Sequence, residues 1–290
     1  MSSPLFGLNI STSAAPGSDP VAGARRAEEL GFDFVSLNDH PAGSHPTYEA
    51  WTMLSWIAAG TTRIKVATRV LGVPYRPPAM VAKMAESLDR LSSGRLILGL
   101  GGGASDDEFR AFGLRVPSPR DKVDGLEEAI RVIRGLWSES SFTFEGRLYG
   151  TRAARLEPKP ERRLPIWLGT FGKRALAVTG RLADGWIPSF ELAPPERVPA
   201  MRALILQSAR DAGRDPGAIT FAYNVGVRLD ERADSPPDFV SGPPGAVAER
   251  LCHFLQLGFT AMNLIPIGPG AEDQIERLAS EVIPAVRSAA

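Results

Sequence analysis

The chain has 290 residues, 43% of them hydrophobic and 23% charged, and this composition excludes disorder, a coiled coil and collagen as its main state. Its 33 basic and 33 acidic side chains balance. A general nucleic-acid-binding protein needs a basic surplus, so we expect no nucleic-acid partner.

The single cysteine, Cys252, excludes a disulfide framework within the chain and a cysteine-based metal site. The first ten residues lack the basic and apolar stretches of a secretory signal. No run of about 18 apolar residues suggests a membrane span. These features predict a cytoplasmic protein.

Short apolar runs alternate with longer amphipathic segments along the chain. The first run, 5–10, is strand-like, and a helix follows at 20–30 with Asp19 as its candidate cap and Gly31 as its stop. Further strands are predicted at 32–37, 64–70, 95–100, 166–169, 185–188, 219–227 and 261–265. Further helices are predicted at 47–59, 78–91, 121–137, 174–181, 196–212, 246–256 and 272–286. A hairpin arm is expected at 142–148, with 154–157 as its possible partner.

Eight strand–helix units predict an α/β protein that forms a single (β/α)₈ TIM barrel over 1–290. The alternative is an open, doubly wound sheet, which usually has a glycine-rich turn after its first strand. Here Ser11, Thr12 and Ser13 follow the first strand. Two stretches are longer than ordinary connections. We expect 138–164 to pack at the side of the barrel or in a subunit contact, and 228–242 to form a lid over the catalytic face.

Asp39 and His40 follow the second strand, at the end where barrel enzymes place their catalytic groups. Histidine exchanges protons near neutral pH, and aspartate accepts a hydrogen bond or holds a positive charge. The alternative is an Asn-Asp-His turn that only satisfies its own backbone.

Two glycine-rich stretches are candidate ligand sites. Gly101, Gly102 and Gly103, with Ala104, end the fourth strand and allow a ligand to approach the backbone, although tight turns also need glycine. The second stretch opens a helix, where free amides bind anions. Its residues are Gly169, Thr170, Phe171, Gly172 and Lys173. The alternative there is a capped helix start with a solvated basic pair.

Gly72 and Val73 end the third strand with an unusual backbone pattern, against which a flat ring could lie. His45 could face a ligand, whereas His253 is expected to be structural. The three histidines have no recognisable metal spacing, so no metal site is predicted. No serine nucleophile elbow and no Walker loop is present.

Several sequence blocks in one order resemble the bacterial luciferase-like superfamily of flavin- and deazaflavin-dependent barrel enzymes. They are AEELGFD at 27–33, the Asp39-His40 pair, VLGVPYRPP at 70–78, ESLDRLSSGR at 86–95, LGLGGG at 98–103, EFRAFG at 108–113, PIWLG at 165–169 and ADGW at 183–186. The resemblance is dense from about residue 5 to 190.

The resemblance implies a cofactor ring at the carboxyl ends of the strands. It also implies a non-proline cis peptide behind the ring, matched here to Gly72–Val73, with 101–104 along the cofactor chain and 169–173 on its phosphate. The Asp39-His40 pair resembles the deazaflavin branch, in which the aspartate seats the ring and the histidine acts as a base. The implied activity is hydride transfer between coenzyme F420 and a small-molecule substrate, with His40 moving a proton.

Two departures argue against a sugar phosphate as the substrate. The branch that oxidises glucose 6-phosphate has Glu after its glycine triplet and Trp four residues after its His, where this chain has Ala104 and Ser44. Glu108 could offer a second carboxyl group, although it also fits a structural Glu-Phe motif.

Two other functions stay open: a reduced FMN-dependent monooxygenase that uses O₂, and a non-catalytic barrel binding protein. The resemblance also implies a homodimer. Trp51 and Trp56 on the second helix either form its apolar contact face or pack on the barrel.

Overall fold

The computed structural model describes residues 3–231, 238–268 and 270–289. Its strands are β1 Leu5–Asn9, β2 Phe34–Leu37, β3 Lys65–Thr68, β4 Leu71–Gly72, β5 Leu96–Gly101, β6 Phe142–Glu145, β7 Gly150–Ala154, β8 Ile166–Leu168, β9 Gly185–Trp186, β10 Thr220–Leu229, β11 Val240–Gly242 and β12 Ala261–Pro266.

The helices alternate with these strands. They are α1 Pro20–Glu29, α2 Ala50–Gly60, α3 Pro78–Leu91, α4 Asp106–Ala111, α5 Pro119–Ser138, α6 Lys173–Leu182, α7 Val198–Asp211, α8 Pro244–Gln256, α9 Ala271–Arg277 and α10 Ile283–Ala289. A π-helical turn over Leu278–Val282 joins α9 to α10.

The strands close into a parallel barrel. The order β10-β12-β1-β2-β3-β5-β8-β9 returns to its start because β9 also pairs with β10. Every pairing in this ring is parallel. The predicted (β/α)₈ barrel is therefore confirmed, and the doubly wound sheet is excluded.

The buried side chains form two layers. A large layer between strands and helices includes Leu8 and Val66 from the barrel and Leu54 from α2. A smaller cluster consists of strand and strand-end residues only, and it fills the barrel interior. There the rings of Phe34 and Trp167 meet edge to face, with centroids 5.7 Å apart. The interior is a packed core, which confines any ligand to the rim.

Local capping chemistry explains where several helices begin. The Asp19 carboxylate accepts hydrogen bonds from the amides of Val21 and Ala22, as the sequence predicted. Glu49 caps α2 in the same way, so this helix begins at Ala50 rather than at residue 47. Helix α4 was not predicted, because six residues are too few to show a helical period.

The first insertion packs against the side of the barrel. It contains an antiparallel hairpin in which Phe142 of β6 pairs with Ala154 of β7, so the expected partner at 154–157 was wrong apart from its first residue. The Glu128 carboxylate of α5 accepts hydrogen bonds from three consecutive amides at 147–149 and holds the hairpin tip.

Both ends of the second insertion form strand. Strand β10 extends to Leu229, and Val227 pairs in parallel with Val240 of β11. Residues 232–237, where the predicted lid is centred, lie outside the described residues. Among the helices of the described ranges, none is long and apolar enough to cross a membrane.

Candidate active site

A cavity of about 560 Å³ opens at the carboxyl ends of the barrel strands, and it is called the mouth cavity below. Most of the residues that the sequence singled out line it: Asp39, His40, Gly72, Gly101, Gly102, Gly103, Ala104, Gly169, Thr170, Phe171 and Gly172. Val73 lines a smaller neighbouring cavity instead, and Lys173 is an exposed residue at the start of α6.

The Asp39 carboxylate is buried and strongly engaged by the protein. Its Oδ2 accepts hydrogen bonds from the Gly72 amide at 2.9 Å and from Arg76 Nη1 at 2.8 Å. Its Oδ1 accepts one from Arg76 Nη2 at 3.0 Å. Arg76 also pairs with Glu49 at the start of α2. Asp39 thus ties the loop after β2 to β4, and the described hydrogen bonds leave one lone pair of Oδ1 unused.

His40 is part of a three-residue network. Its Nδ1 lies 2.8 Å from Glu108 Oε1, and the Tyr75 hydroxyl donates to Glu108 Oε2 at 2.5 Å. Burial and the Glu108 carboxylate raise the pKa of Tyr75, so this hydroxyl stays a donor. A carboxylate acceptor at Nδ1 assigns the ring proton to that nitrogen, and Nε2 is then the proton acceptor of neutral His40.

Helix α4 explains how Glu108 reaches His40. Ser105 caps this helix by accepting a hydrogen bond from the Glu108 amide. The helix starts directly after the glycine-rich end of β5, so its first turn lies at the barrel mouth. The Phe109 side chain is buried below, where its ring packs on Tyr75 at a centroid distance of 4.8 Å. Glu108 therefore contacts the cavity residues His40 and Tyr75, while the side chain of Phe109 is part of the core.

The non-proline cis peptide joins Arg69 to Val70, so its predicted position at Gly72–Val73 was wrong. Val70 lines the mouth cavity and packs against two predicted glycines. A Cβ on Gly101 would come within 2.6 Å of Val70 Cγ2, and one on Gly169 within 3.2 Å. A side chain at 101 would therefore displace Val70, whereas one at 169 would make a tight contact with it.

The loop before α6 and the first turn of this helix line the mouth cavity. Gly172 is the N-cap residue, and no side chain in the described ranges caps the helix from this position. The loop itself is braced from behind. The Thr170 hydroxyl lies 2.7 Å from the Thr179 hydroxyl, and the Thr170 carbonyl accepts from Trp186 Nε1 at 2.9 Å. This arrangement suits an anion such as a phosphate.

A buried hydrogen-bond network lies behind Asn224, which lines the mouth cavity. Asn263 Nδ2 donates to Asn224 Oδ1 at 3.1 Å, and the Ser36 hydroxyl donates to Asn263 Oδ1 at 2.8 Å. Asn224 in turn donates to the Ile187 carbonyl at 3.2 Å. The network holds the Asn224 side chain in one orientation on the wall.

Further wall residues were not found from the sequence: Asn38, Arg69, Tyr75, Lys122, Ser189 and Asn224. Most of them lie on or just after a strand, where a single polar residue forms no distinctive sequence pattern. Arg69 differs from the other charged residues, because desolvation lowers its pKa to about 10 and its side chain contacts no carboxylate in the described ranges.

The other histidines are not part of this wall. In the residues that the structure describes, neither His45 nor His253 lines the mouth cavity. The same residues contain no group of three His, Cys, Asp or Glu side chains that could hold a metal ion.

The family model described as "Luciferase-like monooxygenase" matches residues 5–235. The chain belongs to this family of barrel proteins, and the resemblance read from the sequence is confirmed.

Curated relatives carry a narrower name, "F420-dependent glucose-6-phosphate dehydrogenase". The protein of that name from Intrasporangium calvum is 30% identical over 90% of this chain and 92% of its own length. The one from Kineococcus radiotolerans is 34% identical over 72% of this chain, and the match spans 63% of that relative.

Solved structures share the fold at lower identity. An F420-dependent secondary alcohol dehydrogenase, solved with an F420-acetone adduct, has a TM-score of 0.89 at 21% identity and covers 98% of this chain and 99% of its own. The coenzyme F420-dependent tetrahydromethanopterin reductase from Methanopyrus kandleri has a TM-score of 0.81 at 22% identity, with coverage of 98% and 99%.

Proposed function

We propose that this chain is a coenzyme F420-dependent oxidoreductase that acts on a small organic substrate. The observation that carries the proposal is that two features lie on the wall of one cavity. One is His40, which contacts Glu108, and the other is the start of α6, which no side chain of the described residues caps. The relatives at 30–34% identity whose names include F420 support the same choice of cofactor.

The wall fits an elongated cofactor with a phosphate in its tail. The α6 amides would hold the phosphate, and the backbone at 101–104 would contact the chain between phosphate and ring. Asp39 would accept a hydrogen bond at Oδ1, next to β4. When bound, the deazaflavin ring accepts or donates the hydride of the reaction.

The residues of the chain supply proton transfer and orientation. In the oxidation of an alcohol, the substrate C–H bond breaks as the hydride leaves. The O–H proton goes to Nε2 of neutral His40, and the Glu108 carboxylate stabilises the imidazolium that forms. Tyr75 holds Glu108 from its other oxygen, so the carboxylate is fixed on both sides. Reduction of a ketone uses the same proton in reverse.

Titration of the purified apoprotein with F420 and, separately, with FMN tests the cofactor. The proposal expects F420 to bind more tightly than FMN. A preference for FMN would indicate an oxygen-using monooxygenase. Binding of neither cofactor would indicate a non-catalytic barrel binding protein.

Variants of the His40 network test the mechanism. We expect His40→Ala to keep its F420 affinity and to lose about 10²- to 10⁴-fold in kcat, as removal of a general acid–base group does. Glu108→Gln keeps the shape but removes the charge, and we expect a smaller loss in kcat. Tyr75→Phe removes one of the two contacts of Glu108 and leaves His40 in place, so we expect its loss in kcat to be smaller than that of His40→Ala. Unchanged kcat in His40→Ala would contradict the proposed role.

The substrate assay should include glucose 6-phosphate because of the names of the relatives, although Ala104 and Ser44 argue against it.

Homodimerisation stays a prediction of the resemblance. Trp51 is 9% exposed, whereas Trp56 is 70% exposed, so Trp56 is the tryptophan of α2 that a dimer would cover. The molar mass in solution of the wild type and of Trp56→Ser tests this. A cytoplasmic location and a single domain also stay predictions.

A further inference from the structure

Arg69 lines the mouth cavity, and among the described residues it has no partner of opposite charge. Its Nε donates to the side-chain oxygen of Asn9 at 3.2 Å, and no carboxylate in the described ranges pairs with it. The side chain is surrounded by protein, yet it stays partly exposed because it opens to the cavity.

The other titratable groups of the wall have ionisable partners. Asp39 pairs with Arg76, His40 contacts Glu108, and the Lys122 ammonium lies 2.8 Å from Asp106. Among the described residues of the wall, Arg69 is therefore a cation that lacks an ion-pair partner.

The position of Arg69 places this charge on the same side of the barrel mouth as Asp39 and His40. Its backbone amide donates to the Leu37 carbonyl, at the end of the strand that leads into 38–40. Its side chain reaches across the end of β2 to Asn9 at the end of β1. The guanidinium thus lies near the barrel mouth on the His40 side.

A desolvated cation without a counter-ion is unfavourable, and a ligand that brings an anionic oxygen relieves this cost. The guanidinium matches carboxylate and phosphate groups in particular, since its N–H donors bind both oxygens of such a group. The start of α6 is a separate anion site, already assigned to the cofactor phosphate.

We propose that Arg69 binds an acidic group of the substrate, so that the substrates of this chain carry a carboxylate or a phosphate. This inference rests on the proposed function, because it treats the α6 site as filled by the cofactor. It names the class of substrate but not the remainder of the molecule.

The first step of the test is an F420 titration of the wild type, Arg69→Met, Arg69→Lys and the control Arg155→Met. Arg155 is exposed and has no charged partner among the described residues, so its replacement removes a positive charge away from the site. Failure of the wild type to bind F420 refutes the proposed function, and the inference falls with it. A more than tenfold loss of F420 affinity in Arg69→Met alone would assign the charge to the cofactor and overturn the inference.

The second step measures binding of inorganic phosphate, acetate and neutral acetamide to the F420-loaded proteins by calorimetry. We expect the wild type to bind at least one anion more tightly than acetamide. Arg69→Met should lower the affinity for that anion by about ten- to a hundredfold, which is the range expected for the loss of a charged hydrogen bond. Arg69→Lys should fall in between, and Arg155→Met should match the wild type. Equal binding of acetate, phosphate and acetamide by the wild type overturns the inference.

Thermal unfolding of the apoprotein gives a readout independent of ligands. Since Arg69→Met removes an uncompensated cation, we expect its midpoint to equal or exceed that of the wild type. A lower midpoint would mean that Arg69 serves the fold through Asn9 and would count against the inference. If Arg69→Met does not fold, Arg69→Lys decides the question through its weaker anion binding.

Discussion

Gly172 offers a clean way to test the assignment of the α6 site to a phosphate. Its φ is −80°, and a Cβ built on it meets nothing within 4 Å, so a side chain fits here without strain. Aspartate at this N-cap position would accept hydrogen bonds from the free amides of α6 and place a negative charge in the anion site.

The two expected effects of Gly172→Asp have opposite directions. Unit charges about 6 Å apart near a protein surface repel by about 3 kcal/mol, which salt and exposure reduce to about 1–2 kcal/mol. We therefore expect F420 to bind about 5- to 30-fold more weakly. The apoprotein should become more stable by up to about 1 kcal/mol, because the helix gains a cap.

Fluorescence titration and chemical denaturation measure these two quantities. Gly172→Asn adds the cap without the charge, and Gly172→Ala adds neither. The order of affinity should be wild type and Gly172→Ala, then Gly172→Asn, then Gly172→Asp. Wild-type affinity in Gly172→Asp would refute the assignment of the phosphate to this helix.

Other predictions concern stability. Glu28 accepts hydrogen bonds from the amides of 62–64, and although burial opposes its charge these bonds lower its pKa to about 2. Because the folded pKa is depressed, this stabilisation is present above the ordinary value of 4.5 and is lost as pH falls from there toward 2. Glu28→Gln should cost about 1–2 kcal/mol at pH 7, after allowance for partial exposure, and a cost that did not shrink in acid would contradict this. Gly103→Ala should destabilise the protein by at least about 1 kcal/mol in urea unfolding, because φ is +91° and a Cβ would lie 2.5 Å from Phe109 Cζ. Glu128→Ala should expose the hairpin tip to proteolysis at 147–149 while leaving F420 affinity unchanged.

The barrel could be predicted from the sequence because strand and helix periods alternate over the whole chain. Helix α3 was predicted at its observed bounds, since proline marks its start and an amphipathic pattern fills it. Strand ends were less accurate. The run at 64–70 has a β-branched residue at every second position, yet the strand stops at Thr68, just before the Arg69–Val70 peptide. The residue types at 69–70 do not indicate an unusual backbone, whereas Gly72 and Val73 do.

Site residues could be predicted from the sequence only where a single strand end has a distinctive sequence pattern. Asp39 and His40 are adjacent in sequence, and the glycine stretches have distinctive composition. The contact between His40 and Glu108 joins residues 68 positions apart and depends on the short helix α4. The isolation of Arg69 is a property of all its neighbours together. Neither can be read from a local pattern.

The engagement of Asp39 has a consequence for the speed and thermodynamics of ligand capture. Arg76 and the Gly72 amide donate hydrogen bonds to this carboxylate. Arg76 also pairs with Glu49, which connects the group to the start of α2. The rim on this side of the barrel is therefore preorganised, and a ligand need not order it. Apo and loaded forms should have the same backbone at 38–40 and 71–76, and association should proceed in a single fast phase.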